Sequence, residues 1–148
     1  MSQLQPSTDT LDLEQLFGFV IALRCGDFTA RLPTDLPGRA GEIAVHLNRF
    51  MHDVEMLTSE LTRISHELTE GRFGGQAELS LHPGPWRSCV EALNVMEYHL
   101  TGQVRDMVKT ATQMAEGNYS RKVTVPCQGE TQALKEALNA TLGRLRTS

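Results

Sequence analysis

A short motif recurs three times along the chain, each copy being a glycine, a polar residue and an aromatic residue: Gly26-Asp27-Phe28, Gly71-Arg72-Phe73 and Gly117-Asn118-Tyr119. The glycines stand 45 and 46 residues apart. A Leu-Asn pair keeps the same phase, since Asn48, Asn94 and Asn139 follow these glycines by 22, 23 and 22 residues. Because two markers share one spacing, the sequence predicts three copies of a unit of about 45 residues.

Apolar residues between these markers alternate by fours and threes, which is the spacing of a coiled-coil seam. One series comprises Ile43, Leu47, Phe50, Val54, Leu57, Leu61, Ile64 and Leu68. A second comprises Trp86, Val90, Leu93, Leu100, Val104, Met107, Ala111 and Met114, with a lapse at Glu97 that neighbouring Met96 can fill. Shorter series over 13–23 and 134–145 indicate a first and a last helix. The sequence therefore predicts four helices, of which two are long and cross unit boundaries.

Capping and turn residues mark the expected ends of these helices. The glycine of each repeated motif can take the left-handed conformation that ends the helix before it. Pro85 suits a first helical turn, where its missing N–H group is harmless. For the first helix, Asp9 or Thr10 is the expected N-terminal cap.

The segments 28–38, 73–84 and 119–128 connect the helices of each unit and alternate apolar with polar residues, so we expect them to be extended. Three isolated short strands cannot build a sheet. Each connector is therefore expected to lie along the groove between the two helices it joins, with its apolar residues packed against them. The turn and packing positions predicted in this way are Gly26, Phe28, Leu32, Gly71, Phe73, Gly117, Tyr119 and Val123.

A coiled-coil seam needs a facing seam, because each apolar knob fills a hole on a neighbouring helix. Two helices per unit offer too little surface, and each Leu or Ile left in water forfeits about 1.5–3 kcal/mol. We therefore predict an all-α fold in which two parallel chains form three consecutive four-helix coiled-coil bundles, with helices fused between units. The expected boundaries are a polar tail at 1–10 and units at 11–57, 58–102 and 103–148.

The net charge and the cysteine content of the chain limit the classes of function that it can have. Fourteen Lys and Arg against 18 Asp and Glu give a net charge of −4, which argues against binding nucleic acid or an anionic membrane. The longest apolar run, 17–23, is too short to span a membrane, and no secretion signal is evident, so we expect a cytoplasmic protein. Three widely spaced cysteines, Cys25, Cys89 and Cys127, predict free thiols, with no metal and no cofactor.

The repeated segments resemble the HAMP signalling domain. Gly26-Asp27-Phe28 with Arg31-Leu32-Pro33 fits the glycine turn and connector of that family. The stretch 69–78 followed by Gly84-Pro85-Trp86 is similar to the tandem HAMP arrays of soluble hybrid sensor histidine kinases, and 117–123 with Gly129-Glu130 continues the likeness. Two features depart from the family pattern, namely Gly38-Arg39 where acidic residues usually open the second helix, and a first helix without proline.

This resemblance implies a non-catalytic module that relays helix rotation or splay along a dimer, with a histidine kinase or another signalling protein as partner. Two alternatives stay open. Residues 65–69 resemble the phosphoacceptor box of histidine kinases, which would make His66 a phosphotransfer residue or the chain a kinase-regulatory fragment. A static coiled-coil spacer would share the seam but has no need of the repeated connectors.

Overall fold

The computed structural model describes residues 11–78 and 84–148. In these residues the chain forms four α-helices and no strand: α1 Leu13–Cys25, α2 Gly38–Thr69, α3 Pro85–Ala115 and α4 Gly129–Thr147. The prediction of four helices, two of them long, is confirmed. The polar tail predicted at 1–10 lies outside the described residues.

The three connectors begin with the same helix-ending turn. The glycine amides of Gly26, Gly71 and Gly117 donate to carbonyls three residues earlier at 3.2, 3.0 and 3.0 Å, and the following residue donates to the carbonyl five residues earlier at 2.9, 2.8 and 2.8 Å. This paired pattern is the Schellman motif, which satisfies the free carbonyls of a helix end. The glycines have φ of 77°, 75° and 81°, so the predicted left-handed conformation is confirmed.

The helix starts differ from one another. Asp12 caps α1 by accepting a hydrogen bond from the Glu14 amide at 3.1 Å, so the prediction of Asp9 or Thr10, which lie outside the described residues, is wrong. The first residue of α3 is Pro85, as predicted. At each second helix a glycine with positive φ turns the chain into the helix: Gly38, Gly84 and Gly129, with φ of 62°, 57° and 58°.

The described chain divides into two compact units. One contains residues 11–63 with Glu78 and 84–87, and the other contains 64–77 with 88–148. In the first, α1, the connector and the start of α2 share a core of Phe19, Leu32, Ala44 and Met51. In the second, the largest fully buried side chains are Ile64, Val90, Glu97, Thr110, Val123 and Leu142. In each unit a connector residue is therefore part of the core.

Candidate functional site

The three repeated asparagines each hold one connector residue by both edges of its backbone. Leu32 donates its N–H to Asn48 Oδ1 at 2.7 Å and accepts from Asn48 Nδ2 at 2.8 Å. The same pair of bonds joins Asn94 to Ala77 at 2.7 and 3.0 Å, and Asn139 to Val123 at 2.9 and 3.1 Å. A primary amide can bond one residue in this way because it offers an acceptor and a donor side by side, which match the N–H and the C=O on either side of that residue's Cα. We call each of these an asparagine clamp.

Each clamp sits at a buried position. The clamped residues Leu32, Ala77 and Val123 are all less than a tenth exposed, so their backbone groups have little access to water. The helix residues one turn before and one turn after each asparagine lie on the same face of the helix. These flanking residues are Ala44 and Met51, Val90 and Glu97, and Lys135 and Leu142.

The sequence predicted Leu32 and Val123 as packing positions but missed Ala77, because a single alanine gives no apolar signal. It also gave Asn48, Asn94 and Asn139 only as markers of the repeat. The signal that could have assigned their role was available, since Asn seldom occurs in the middle of an apolar helix face without a hydrogen-bond partner.

A second shared feature is an arginine on the carbonyl of the connector aromatic. Arg31 donates to the Phe28 carbonyl at 2.5 Å, Arg105 donates to the Phe73 carbonyl at 3.0 Å, and Arg146 donates to the Tyr119 carbonyl. All three aromatic side chains are half-buried. The arginines come from different places in the three copies, namely from the connector itself, from α3 and from α4, which is why no repeat of the sequence reveals them.

The turn after the glycine is built in two ways. In the first and third connectors Asp27 and Asn118 each accept from the amide and the hydroxyl of the residue two positions later, Thr29 or Ser120, at 3.1 and 2.6 Å. The Thr29 hydroxyl and amide lower the pKa of Asp27 below its usual value. In the middle connector the corresponding residue is Gly74, whose amide instead donates to Glu97 Oε1 at 2.6 Å.

Glu97 is a buried carboxyl at a position where the other copies have Met51 and Leu142. It is 1% exposed, and its second oxygen accepts from the Thr101 hydroxyl at 2.5 Å. The lapse in the predicted seam at Glu97 has its physical reason here, because Glu97 lies on the same helix face as Asn94 and bonds the connector. Its neighbour Met96, the predicted substitute, is 52% exposed.

Asp106 on α3 also binds the third connector, which Asn139 binds from α4. It accepts from the Thr124 and Val125 amides at 2.9 and 3.1 Å, and from Arg121 at 2.6 Å. Desolvation disfavours the charged form, but the hydrogen bonds and the Arg121 charge outweigh it, so the pKa of Asp106 lies below its usual value. Glu60 accepts from the Glu78 amide at 3.3 Å in the corresponding place on the middle connector.

The residues predicted to form a dimer seam fall into three groups in the single chain. Five are already buried: Val54, Leu57, Ile64, Val90 and Met107. Seven are half-buried: Leu47, Leu68, Trp86, Leu93, Leu100, Val104 and Met114. Ile43, Phe50 and Leu61 are exposed, and the Phe50 and Trp86 rings lie 6.4 Å apart. The role of all fifteen in a dimer stays a prediction.

The remaining candidate residues lie apart from the clamps. His66 is exposed near the end of α2, with Nε2 3.3 Å from a Glu70 carboxylate oxygen, and its carbonyl accepts from the Glu70 amide. Cys25, Cys89 and Cys127 are free thiols. In the described part of the chain, no three His, Cys, Asp or Glu side chains gather as a metal-ligand set. None of the helices there is both long and apolar enough to cross a membrane.

In the described residues, four helices and their clamped connectors form an all-helical module. The family profile of the HAMP domain matches residues 91–147, which cover most of α3, the third connector and α4. This match supports a HAMP domain in that part of the chain, and the HAMP domain is a non-catalytic signal-relay module of sensor proteins. No solved structure matches the chain.

Proposed function

We propose that the whole chain is an array of three HAMP units, at 11–57, 58–102 and 103–148, that relays conformational change along a parallel homodimer. The observation that carries this proposal is the asparagine clamp, which occurs three times with the same pair of hydrogen bonds. The third clamp lies inside the segment that matches the HAMP domain. The first two clamps support the extension of that assignment to the rest of the chain.

Exposed apolar residues on the helices support the homodimer. Alignment of the clamps equates Ile43 with Cys89 and Leu134, and all three are exposed in the single chain. Phe50 and Leu61 lie on the same predicted seam and are also exposed. Covering such residues with a partner helix yields about 1.5–3 kcal/mol for each large side chain that becomes fully buried. Two chains side by side give each unit the four helices that a bundle requires.

Continuous helices support the relay. α2 carries the first clamp near its start and the second Schellman glycine just beyond its end, and α3 repeats this arrangement for the second clamp and the third glycine. A rotation or splay that changes the packing at the clamp end of such a helix also reaches the glycine end, because the backbone between them is one hydrogen-bonded rod. The module acts in the cytoplasm, within or alongside a two-component histidine kinase, and does not itself catalyse a reaction.

The homodimer is tested by sedimentation equilibrium of the purified chain at micromolar concentration. We expect a dimer, and we expect Leu61→Asp to weaken it about a hundredfold or more, because two unpaired carboxylates would be buried at the seam. Ser59→Asp is the matched control, since Ser59 is exposed on the same helix two residues away and off the seam. A folded monomer of the unaltered chain, or equal effects of the two variants, would contradict the proposal.

The relay is tested against a static spacer by disulfide crosslinking between chains. Pairs of cysteines are placed at seam and flanking positions of α3 in a chain whose native cysteines are replaced by serine. We expect Phe73→Ala to change which positions crosslink while the dimer stays intact, because the connector helps set the packing of the bundle. An unchanged crosslinking pattern with a lowered melting temperature would favour the spacer.

A further inference from the structure

Two adjacent residues of α3 bind two different connectors. Arg105 Nη2 donates to the Phe73 carbonyl of the middle connector at 3.0 Å. Asp106 accepts from the Thr124 and Val125 amides of the third connector at 2.9 and 3.1 Å. The backbone groups bonded to these neighbours are about 50 residues apart in sequence. A single turn of α3 is therefore in contact with both connectors.

The middle connector is bonded to α3 on both edges of one peptide group. The carbonyl of the Phe73–Gly74 peptide accepts from Arg105, and the N–H of the same peptide donates to Glu97. Thr101 lies between these two residues on α3 and donates its hydroxyl to the Glu97 carboxylate, which fixes that side chain. Any rotation of α3 must move this peptide with the helix or break these bonds.

Gly74 makes room for this arrangement. It has φ of 101°, and a Cβ atom on it would lie 3.2 Å from Arg105 Nη2. The corresponding residues of the other connectors, Thr29 and Ser120, carry side chains that bond their own turn instead. At this position the first and third connectors have a side-chain hydrogen bond within their own turn, whereas the middle connector has hydrogen bonds to α3.

We propose that the Arg105–Asp106 turn is a coupling node through which the middle and third connectors engage or release together. This inference rests on the proposed relay and names the residues that connect its second and third units. This turn of α3 has two states: in one, both connectors are hydrogen-bonded to it, and in the other, both are released from it. A helix rotation that withdraws Arg105 from the Phe73 carbonyl also displaces Asp106 from the two amides, because the two residues are consecutive in the same rigid turn.

Hydrogen exchange of the full chain, followed by mass spectrometry, tests the node. We expect Arg105→Met to speed exchange of segment 72–77 several-fold, because it removes a charge-assisted hydrogen bond that is exposed to solvent. Exchange of segment 119–128 should rise with it by several-fold. Asp106→Asn should show the reciprocal effect on 72–77, since a coupling free energy acts equally in both directions.

Two further variants make the comparison specific. Lys109→Met is the matched control, because Lys109 is an exposed basic residue one turn further along α3, and it should leave both connectors unchanged. Gly74→Ala weakens the Arg105 bond from the connector side, because alanine is strained at a φ of 101° and its Cβ would lie 3.2 Å from Arg105 Nη2, and it should reproduce the effect of Arg105→Met on segment 119–128. It also serves as the test if Arg105→Met does not fold.

The node is refuted if Arg105→Met and Gly74→Ala loosen segment 72–77 alone while Asp106→Asn loosens only 119–128. That result in an intact dimer that still passes the crosslinking test would reject the node and leave the relay standing. A chain that sediments as a monomer but shows coupled exchange would instead reject the dimer and keep the node. Coupled exchange in both directions, with Lys109→Met silent, supports the proposal.

Discussion

Removing the third asparagine clamp should destabilise the chain by an amount that the structure allows to be estimated. Asn139→Ala leaves the N–H and the carbonyl of Val123 without partners, and Val123 is 2% exposed. Each buried backbone group left unsatisfied costs about 1–3 kcal/mol. Some water reaches the space vacated by the side chain, so we expect a loss of about 2–4 kcal/mol, which is about 5–15 °C in melting temperature for a chain of this size.

The assay is urea unfolding followed by far-ultraviolet circular dichroism, at one fixed protein concentration because the stability of the proposed dimer would depend on concentration. Asn139→Asp should fall between wild type and alanine, since it can still accept from the Val123 amide but cannot donate to the carbonyl. Asn118→Ala is the control, because its bonds to Ser120 are exposed and their loss should cost less than about 1 kcal/mol. If Asn139→Ala costs no more than Asn118→Ala, the clamp does not hold the connector.

Three further outcomes are expected. Thr110→Val should raise the free energy of unfolding by about 1 kcal/mol, because the Thr110 hydroxyl is buried without a partner. Thr101→Val should instead lower the free energy of unfolding, because it removes the hydrogen bond to Glu97, and urea unfolding of both variants checks this. Because the pKa of Asp106 is lowered in the folded state, this residue should contribute stability above about pH 4, and that contribution should be lost as the pH falls through the lowered value. If wild type and Asp106→Asn lose stability at the same pH in an acid titration of unfolding, this prediction is wrong. Gly71→Ala should cost about 1 kcal/mol or more in thermal unfolding, because φ is 75° there, whereas Gly143→Ala in the middle of α4 should not destabilise the chain.

Local signals were sufficient to predict the helices and their glycine ends. The fours-and-threes spacing depends only on neighbours within one helix, and a glycine after the last apolar residue is the usual end of such a helix. The predicted caps of α1, Asp9 and Thr10, are three and two residues before the observed cap, Asp12. Several polar residues precede Leu13, and only backbone geometry distinguishes Asp12 from the others.

The contacts of the connectors could not be predicted in the same way. Asn94 and Ala77 are 17 residues apart, and no pattern of period 3.6 or 2 relates them. Glu97 was interpreted as an interruption of the seam, because a linear series of apolar residues does not reveal that a connector backbone packs on this face of the helix. Only the position of the connector shows that this face needs a polar group at Glu97, where the other copies place Met51 and Leu142.

The asparagine clamp binds the backbone N–H and C=O of one residue, and neither bond involves the side chain of that residue. The three clamped residues are accordingly Leu32, Ala77 and Val123, which differ in size and shape while their backbone bonds are the same. Connector sequences can therefore differ from copy to copy, as long as the asparagine and the glycine turn are kept. The proposed array would then gain whole units without needing a new matched pair of side chains at each addition.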